Sequence, residues 1–175
     1  MLEPRPPVFD PERHQRRSMR SRTHDYASPG IYFVTFNTKA RHRWFGEIRD
    51  GCMHLNANGR LAKEHWITIP EHHGHVRLHA FTIMPDHIHG IVELIERPVR
   101  SALVRKDHRP NGPAPGSLGA IIGAYRAGVV RAMNLSRSYV IRGLWQRGYH
   151  DVIIRNERSF QRITGYIQRH PSMMG

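Results

Sequence analysis

The sequence predicts an α+β domain in which an antiparallel sheet has its helices packed on one face. Two observations carry this prediction. Runs of β-branched and aromatic residues alternate along the chain with longer segments whose apolar residues recur at helical spacing. Several of the strand-like runs are separated by turns short enough for hairpins, which join antiparallel neighbours.

The N-terminal part of the chain contains three short strand-like runs. The first predicted strand is Ile31–Phe36, which follows the turn Ser28-Pro29-Gly30 and is dense in β-branched and aromatic residues. Trp44–Ile48 and Met53–Leu55 flank the turn Asp50-Gly51 and are predicted to form a small hairpin.

A helix and two more strands follow. We expect this helix to have Asn58 as its N-cap, to run through Ile67 and to be ended by Pro70. The next two strands are predicted at Val76–Met84 and His87–Ile95, with a short break between them.

The C-terminal part adds two helices and a strand. Ser117 is the predicted N-cap of a helix that runs to about Met133. A strand is predicted at Val152–Ile154. Asn156 then caps a last helix that continues through His170, where a proline stops it.

The chain is predicted to consist of an arm and one domain. Residues 1–27 are expected to be a flexible basic N-terminal arm, and residues 28–175 a single domain with its own core. Within that domain, residues 96–116 are rich in Pro, Arg, Lys, Asn and Gly and are expected to form an exposed loop.

Charge indicates the class of partner. Lys and Arg number 27 against 14 Asp and Glu, a formal net charge of +13, which favours a polyanion: nucleic acid first, an acidic membrane surface second. A single cysteine, Cys52, excludes an internal disulfide, and the N-terminus lacks the apolar core of a secretory signal. We expect a cytoplasmic protein with no membrane-spanning segment.

The stretch Met84–Val92 holds the most informative pattern. On a strand His87 and His89 lie on one face and Ile88 on the other, and two neighbouring imidazoles make half of a metal site. The alternative is a pair of hydrogen-bonded strand histidines. A chain this rich in histidine contains such a spacing by chance, as His73-Gly74-His75 illustrates.

The last helix carries a second pattern. Phe160, Ile163 and Ile167 share one face, which is expected to pack on the sheet. Tyr166 and His170 are four residues apart at the edge of that stripe, so this helix can present a phenol and an imidazole together. The alternative is that Tyr166 only packs and that His170 favours the helix C-terminus as a cation.

Four segments, in this order, carry a family resemblance: Tyr26–Thr35, Met84–Val92, Leu144–Tyr149 with Ile153–Arg155, and Tyr166–Pro171. Together they resemble the small single-tyrosine transposases of the HUH endonuclease class, especially the branch associated with repetitive extragenic palindromes (REP). The resemblance implies a ferredoxin-like antiparallel sheet. It also implies a metal-dependent nuclease that cleaves and rejoins single-stranded DNA through a 5′-phosphotyrosine at hairpin-forming repeats.

The resemblance also assigns roles to residues. His87 and His89 match the catalytic metal-binding pair, and Tyr166 matches the nucleophile. His170 stands where relatives usually carry Asn or Gln as the third metal ligand. Mg²⁺ or Mn²⁺ is the expected ion, and the imidazoles favour Mn²⁺ in vitro.

Basic and aromatic side chains are expected to contact the DNA, which would be single-stranded or hairpin-forming. The protein itself would be a monomer or a homodimer and would not engage a membrane. The residues assigned to DNA contact are Arg16, Arg17, Arg20, Arg22, Trp145, Arg147, Tyr149, Arg155 and Arg169.

Two other functions compete with this hypothesis. A catalytically inactive nucleic-acid-binding protein would use the arm and the loop for binding and would keep the histidines as structural residues. A cupin-like or zinc hydrolase site on His87 and His89 would need a β-barrel with a further Glu and His, and the helices and the net charge speak against it.

Overall fold

The computed structural model describes residues 24–96, 112–137 and 139–171. The central feature is a four-stranded sheet in which neighbouring strands are antiparallel, with the order β4 (Val76–Ile83), β5 (His87–Leu94), β1 (Gly30–Asn37) and β6 (His150–Ile154). A separate two-stranded hairpin pairs β2 (Gly46–Arg49) with β3 (Cys52–Leu55). In chain order the elements are β1 (Gly30–Asn37), a 3-10 turn (Lys39–Arg41), β2 (Gly46–Arg49), β3 (Cys52–Leu55), α1 (Ala57–Ile67), α2 (Ile69–His72), β4 (Val76–Ile83), β5 (His87–Leu94), α3 (Leu118–Leu135), β6 (His150–Ile154) and α4 (Glu157–Arg169).

Strand β1 separates two apolar layers. Its side chains alternate, so Tyr32, Val34 and Phe36 enter the larger core, whereas Ile31 and Phe33 pack in a smaller one. Helices α1 and α3 supply the larger core, and α4 covers the smaller one.

The predicted ferredoxin-like α+β class with an antiparallel sheet is confirmed. The helices are nevertheless distributed over both faces: α1 and α3 share one face, and α4 lies on the other. The reason is that the central strands are apolar on both faces, as Ile91 on β5 and Phe33 on β1 show, so each face needs a cover.

The larger core fixes β5 from behind the sheet. Trp66 of α1 is fully buried and lies against Gly90, where an added Cβ would come within 2.3 Å of the indole carbon Cζ2. Tyr125 of α3 donates its hydroxyl proton to the carbonyl of Ala62 at 3.0 Å, which ties α3 to α1.

Local capping signals set most helix starts. Ser117 and Asn156 cap α3 and α4 as predicted, each accepting a backbone N–H three residues on. The N-cap of α1 is Asn56 rather than Asn58, because the Asn56 side chain accepts the Gly59 N–H while Asn58 is buried and donates to the carbonyl of Trp44.

Pro70 does not end α1. Thr68 closes that helix, and Pro70 occupies the first turn of α2, where a missing N–H is tolerated.

Parts of the predicted arm and loop lie outside the described residues, namely 1–23 and 97–111, including Arg16, Arg17, Arg20 and Arg22. Of the arm's last residues, His24 and Tyr26 contact the ring of Tyr32. The division at residue 27 stays a prediction. None of the helices in the described ranges combines the length and apolarity that crossing a membrane requires.

Candidate metal centre and nucleophile

Three imidazoles converge on the α4 side of the sheet. His87 and His89 lie on β5, and His170 directly follows α4. One nitrogen from each ring lies within 4.8 Å of the other two, and the residues are 3%, 6% and 8% exposed, respectively. Within this cluster the Nε2 atoms of His87 and His170 are 2.9 Å apart.

Asp86 sets the tautomer of His87. The Nδ1 of His87 lies 2.6 Å from Oδ1 of Asp86, and a carboxylate only accepts, so the proton belongs on Nδ1. The lone pair of a neutral His87 is therefore on Nε2, which points at His170. A carboxylate behind a ligating imidazole is the usual second partner in metal sites.

His89 is held by β1. Its Nδ1 lies 2.7 Å from Oγ1 of Thr35, the residue opposite it in the register, and this contact leaves Nε2 as the nitrogen available to a metal. The ring of Phe33 stacks on that of His89, with centroids 5.5 Å apart and an interplanar angle of 22°. Both partners follow from the alternation of β1, which points Phe33 and Thr35 to the α4 side.

Burial keeps the three rings neutral. It lowers the pKa of His87 and of His170, and it lowers the pKa of His89 to about 3. Part of this lowering at His89 comes from the positive charges of the His87 and His170 rings when protonated and of the nearby Arg41 guanidinium. Neutral imidazoles present the lone pairs that metal ligation requires.

His170 shows that the donor set fits a metal ion. Its Nδ1 is buried and has no hydrogen-bond partner within the described part of the chain. Because His87 carries its proton on Nδ1, His170 donates from Nε2 when the pair is hydrogen-bonded. With its proton moved to Nδ1, His170 would offer Nε2 beside the other two nitrogens, so the three residues can hold a metal ion.

Tyr166 lies beside this cluster, one helical turn before His170. Its ring centroid is 4.9 Å from that of His170 and 5.5 Å from that of His89, and the side chain is half-buried. The stripe Phe160, Ile163 and Ile167 packs against the sheet as predicted, and this packing places Tyr166 on the same face as the histidines.

Comparisons with known proteins identify a relative of this chain. No protein-family model matches the chain. An uncharacterised protein of Haemophilus influenzae is 36% identical over 165 residues, which make up 90% of this chain and 89% of that protein. The chain belongs to the same family as that protein.

A solved structure gives the fold a name. A REP-associated tyrosine transposase, determined with a bound REP hairpin, superposes with a TM-score of 0.62 at 16% identity, over 90% of this chain and 75% of that one. This chain is REP-associated tyrosine transposase-like in its fold. The resemblance predicted from the sequence is confirmed at this level.

Two other tyrosines of the transposase-like fold lie in the larger core. Tyr125 is 4% exposed in the larger core, on the opposite face of the sheet, and burial raises its pKa well above the usual range. Tyr32 also belongs to the larger core. Of these three phenols, Tyr166 is therefore the one beside the imidazoles.

The predicted DNA-contacting residues that the structure describes lie in different environments. Trp145 packs against Phe36 and Phe45 in the larger core and donates its indole N–H to the carbonyl of Arg126 at 3.0 Å, so its ring is engaged within the protein. Tyr149 is half-buried beside the same core. The exposed members are Arg147, Arg155 and Arg169. Contact of all these residues with DNA stays a prediction.

Three residues of the centre were not predicted from the sequence: Thr35, Arg41 and Asp86. The sequence does hold a signal for Asp86, because a carboxylate directly before a ligating histidine can reach its Nδ1. Thr35 depends on the strand register, and Arg41 depends on the conformation of a turn.

Proposed function

We propose that this protein is a metal-dependent single-stranded DNA endonuclease and transposase that cleaves and rejoins DNA at hairpin-forming repeats. The observation that carries the proposal is the meeting of three neutral imidazoles and one phenol on a single face of the sheet. The REP-associated tyrosine transposase fold supports it.

Tyr166 is the proposed nucleophile. Its phenolic oxygen attacks the scissile phosphorus, so a tyrosine–phosphate bond forms while the bond to the 3′ oxygen breaks. The phenol proton passes to solvent, and the 3′ oxygen leaves as a hydroxyl after taking a proton from water. The new 5′-phosphotyrosine conserves the phosphodiester energy, so the 3′-hydroxyl of a second strand can reverse the step and join DNA.

His87, His89 and His170 are the proposed ligands of a divalent ion, Mn²⁺ or Mg²⁺. When bound, the ion neutralises the charge that develops on the phosphate during in-line attack. Asp86 and Thr35 keep the rings of His87 and His89 oriented for ligation.

Charge supports DNA as the substrate. The net charge of +13 favours a polyanion, and Arg147, Arg155 and Arg169 are exposed cations that can follow a phosphate backbone. The REP hairpin bound to the REP-associated tyrosine transposase of the same fold supports a hairpin-forming substrate.

One observation favours a second candidate, an inactive nucleic-acid-binding protein. The 2.9 Å contact between His87 and His170 is a good hydrogen bond in its own right, as a purely structural pair would make. Such a protein would bind DNA and form no covalent product.

The deciding experiment incubates the protein with single-stranded DNA that ends in a hairpin, in Mn²⁺, and looks for a protein–DNA adduct on a denaturing gel. We expect an adduct that is lost on chelation and in Tyr166→Phe. Tyr139→Phe is the matched control, because it removes the hydroxyl of an exposed tyrosine and should leave the adduct intact.

The other outcomes are equally informative. An adduct that persists in Tyr166→Phe would exclude Tyr166 as the nucleophile. Metal-dependent cleavage without an adduct would indicate hydrolysis, and salt-sensitive binding without cleavage would favour the inactive candidate.

A further inference from the structure

The turn that follows β1 has a backbone conformation unusual for its residues. Ala40 and Arg41 have φ values of 53° and 56°, in the left-handed region that residues other than glycine rarely adopt. Thr38 fixes this turn: it is fully buried, and its hydroxyl lies 2.7 Å from the carbonyl of His42 and 3.0 Å from that of Asp86. The conformation is therefore held by contacts that also reach the residue before His87.

This turn places the Arg41 guanidinium beside the histidine cluster. Its Nε donates to Oδ2 of Asp86 at 2.9 Å, and its Nη1 donates to Oδ1 of Asn37 at 2.6 Å. Asn37 is the residue opposite His87 in the register of β1 and β5. Neither contact uses Nη2, and the side chain is 49% exposed, so one edge of the planar group is presented to solvent beside the cluster.

The charge of Arg41 is only partly compensated. One carboxylate oxygen of Asp86 contacts His87 and the other contacts Arg41, so the negative charge is shared between the two partners. The Arg41 guanidinium contacts the same carboxylate that holds His87, so its positive charge lies beside the cluster. An anion at the cluster would therefore be attracted to Arg41 as well.

We propose that Arg41 is a phosphate-binding residue of this site, with its Nη2 edge taking a phosphate oxygen of a DNA strand that lies across the three histidines. A guanidinium suits this task because it stays charged at any working pH and, with Nε and Nη1 engaged, still has the N–H donors of Nη2 for a phosphate oxygen. The contacts to Asp86 and Asn37 hold the fork in place before the strand arrives. The identification of the anion as DNA rests on the proposed function.

The test measures binding apart from chemistry. In a Tyr166→Phe background, the affinity for a fluorescein-labelled single-stranded oligonucleotide with a terminal hairpin is followed by anisotropy across a range of salt concentrations. We expect Arg41→Gln to weaken binding about tenfold, as for loss of a hydrogen bond to a charged group. The slope of log K against log salt should fall by about 0.7, the value for one phosphate contact on a single strand.

Arg43→Gln is the matched control, because it removes the same charge from an exposed arginine two residues away. We expect its effect to stay within about twofold. Equal losses in the two variants would indicate a general surface-charge effect and would overturn the inference. Arg41→Lys keeps the charge without the fork and should bind with intermediate affinity; it also provides a second variant if Arg41→Gln does not fold.

A merely structural role for Arg41, acting through Asp86 on His87, predicts a different pattern. Arg41→Gln would then weaken Mn²⁺ binding, measured by calorimetry, and would leave the salt slope for DNA unchanged; that result overturns the inference. We expect the reverse: undiminished Mn²⁺ affinity, and a DNA-binding defect that persists in chelator.

The Arg41 phosphate contact and the covalent chemistry of Tyr166 can be refuted separately. If the protein with Tyr166 intact forms no adduct while binding still depends on Arg41, the covalent chemistry is refuted and the phosphate contact stands. If the adduct forms and Arg41→Gln binds like the control, only the phosphate contact is refuted.

Discussion

Asp86 links the Arg41 guanidinium to a candidate metal ligand, since its two carboxylate oxygens contact the Nδ1 of His87 and the Nε of Arg41. This arrangement gives His87 one tautomer and one orientation. The Asp86 carboxylate therefore controls how His87 enters the three-ring cluster, although Asp86 is not a member of that cluster.

Asp86→Asn should weaken Mn²⁺ binding by about 10- to 100-fold. The amide has only one oxygen, so its N–H₂ group would face either His87 or Arg41, both of which are donors. The substitution also removes the negative charge that favours the Nδ1-protonated tautomer of His87. Calorimetric titration with Mn²⁺ measures the effect. Asp50→Asn, at an exposed turn position, is the control and should bind Mn²⁺ like the unmodified protein. Unchanged affinity in Asp86→Asn would remove the carboxylate from this account.

Acid should destabilise the metal-free protein through His89. Its pKa is about 3 in the fold against an ordinary value of about 6.5, so the unfolded chain takes up a proton first as the pH falls. The stabilising effect of the neutral ring is complete above about pH 6.5 and is lost progressively down to about pH 3, on the order of 5 kcal/mol in all.

Urea unfolding in chelator between pH 7 and pH 4 checks this expectation. The unfolding free energy should fall more steeply with acid in the unmodified protein than in His89→Asn, which has no ring to protonate. Parallel pH profiles for the two proteins would contradict it.

Helix α4 shows how far local sequence signals reach. Its N-cap, its apolar stripe and the pairing of Tyr166 with His170 were all predictable, because capping and helical periodicity act over a few residues. Its position opposite α1 and α3 was not, because that depends on which face of the strands each helix covers. The three-ring cluster needed both kinds of information, since His170 comes from the helix and His87 and His89 from the strand.

The turn at Thr38–His42 marks the other limit of sequence analysis. Positive φ angles are normally signalled by glycine, and here Ala40 and Arg41 adopt them because buried contacts of Thr38 hold the turn. Nothing in the local sequence indicates this. The contribution of Arg41 to the site was therefore visible only in the structure.

Loosening the start of α4 should weaken the metal site at its far end. Asn156→Ala removes a side-chain acceptor from the N–H of Ser159 and should lower the free energy of unfolding by about 1 kcal/mol. It should also lower Mn²⁺ affinity, because α4 carries His170.

Gln168→Ala, at an exposed position of the same helix, is the control for chemical denaturation and Mn²⁺ titration and should change stability by less than about 0.5 kcal/mol. Equal effects of the two substitutions would show that the cap does not set the stability of α4.

At the scale of the whole molecule, the excess of positive charge favours association with a polyanion such as the proposed DNA substrate. The net charge of +13 predicts association that is strongly dependent on ionic strength. The exposed arginines Arg147, Arg155 and Arg169 belong to the described structure, whereas the crowded arginines of the predicted arm do not.

Raising the salt concentration from 50 to 200 mM should weaken binding of single-stranded DNA about 50-fold if four phosphates are contacted. Deleting residues 1–23 should reduce this dependence, because it removes Arg16, Arg17, Arg20 and Arg22. Anisotropy titrations at several ionic strengths measure both effects. A deletion variant with the full salt slope would exclude the arm from the interface.

The indole of Trp66 and the ring of His89 lie on opposite faces of strand β5. Gly90 leaves no room for a side chain between β5 and the indole, so Trp66 packs directly against the strand at the position next to His89. Any bulk added there would push the strand towards α4 and spoil the spacing of the rings. The reverse side of the sheet thus constrains the spacing of the three histidines that are the candidate metal ligands.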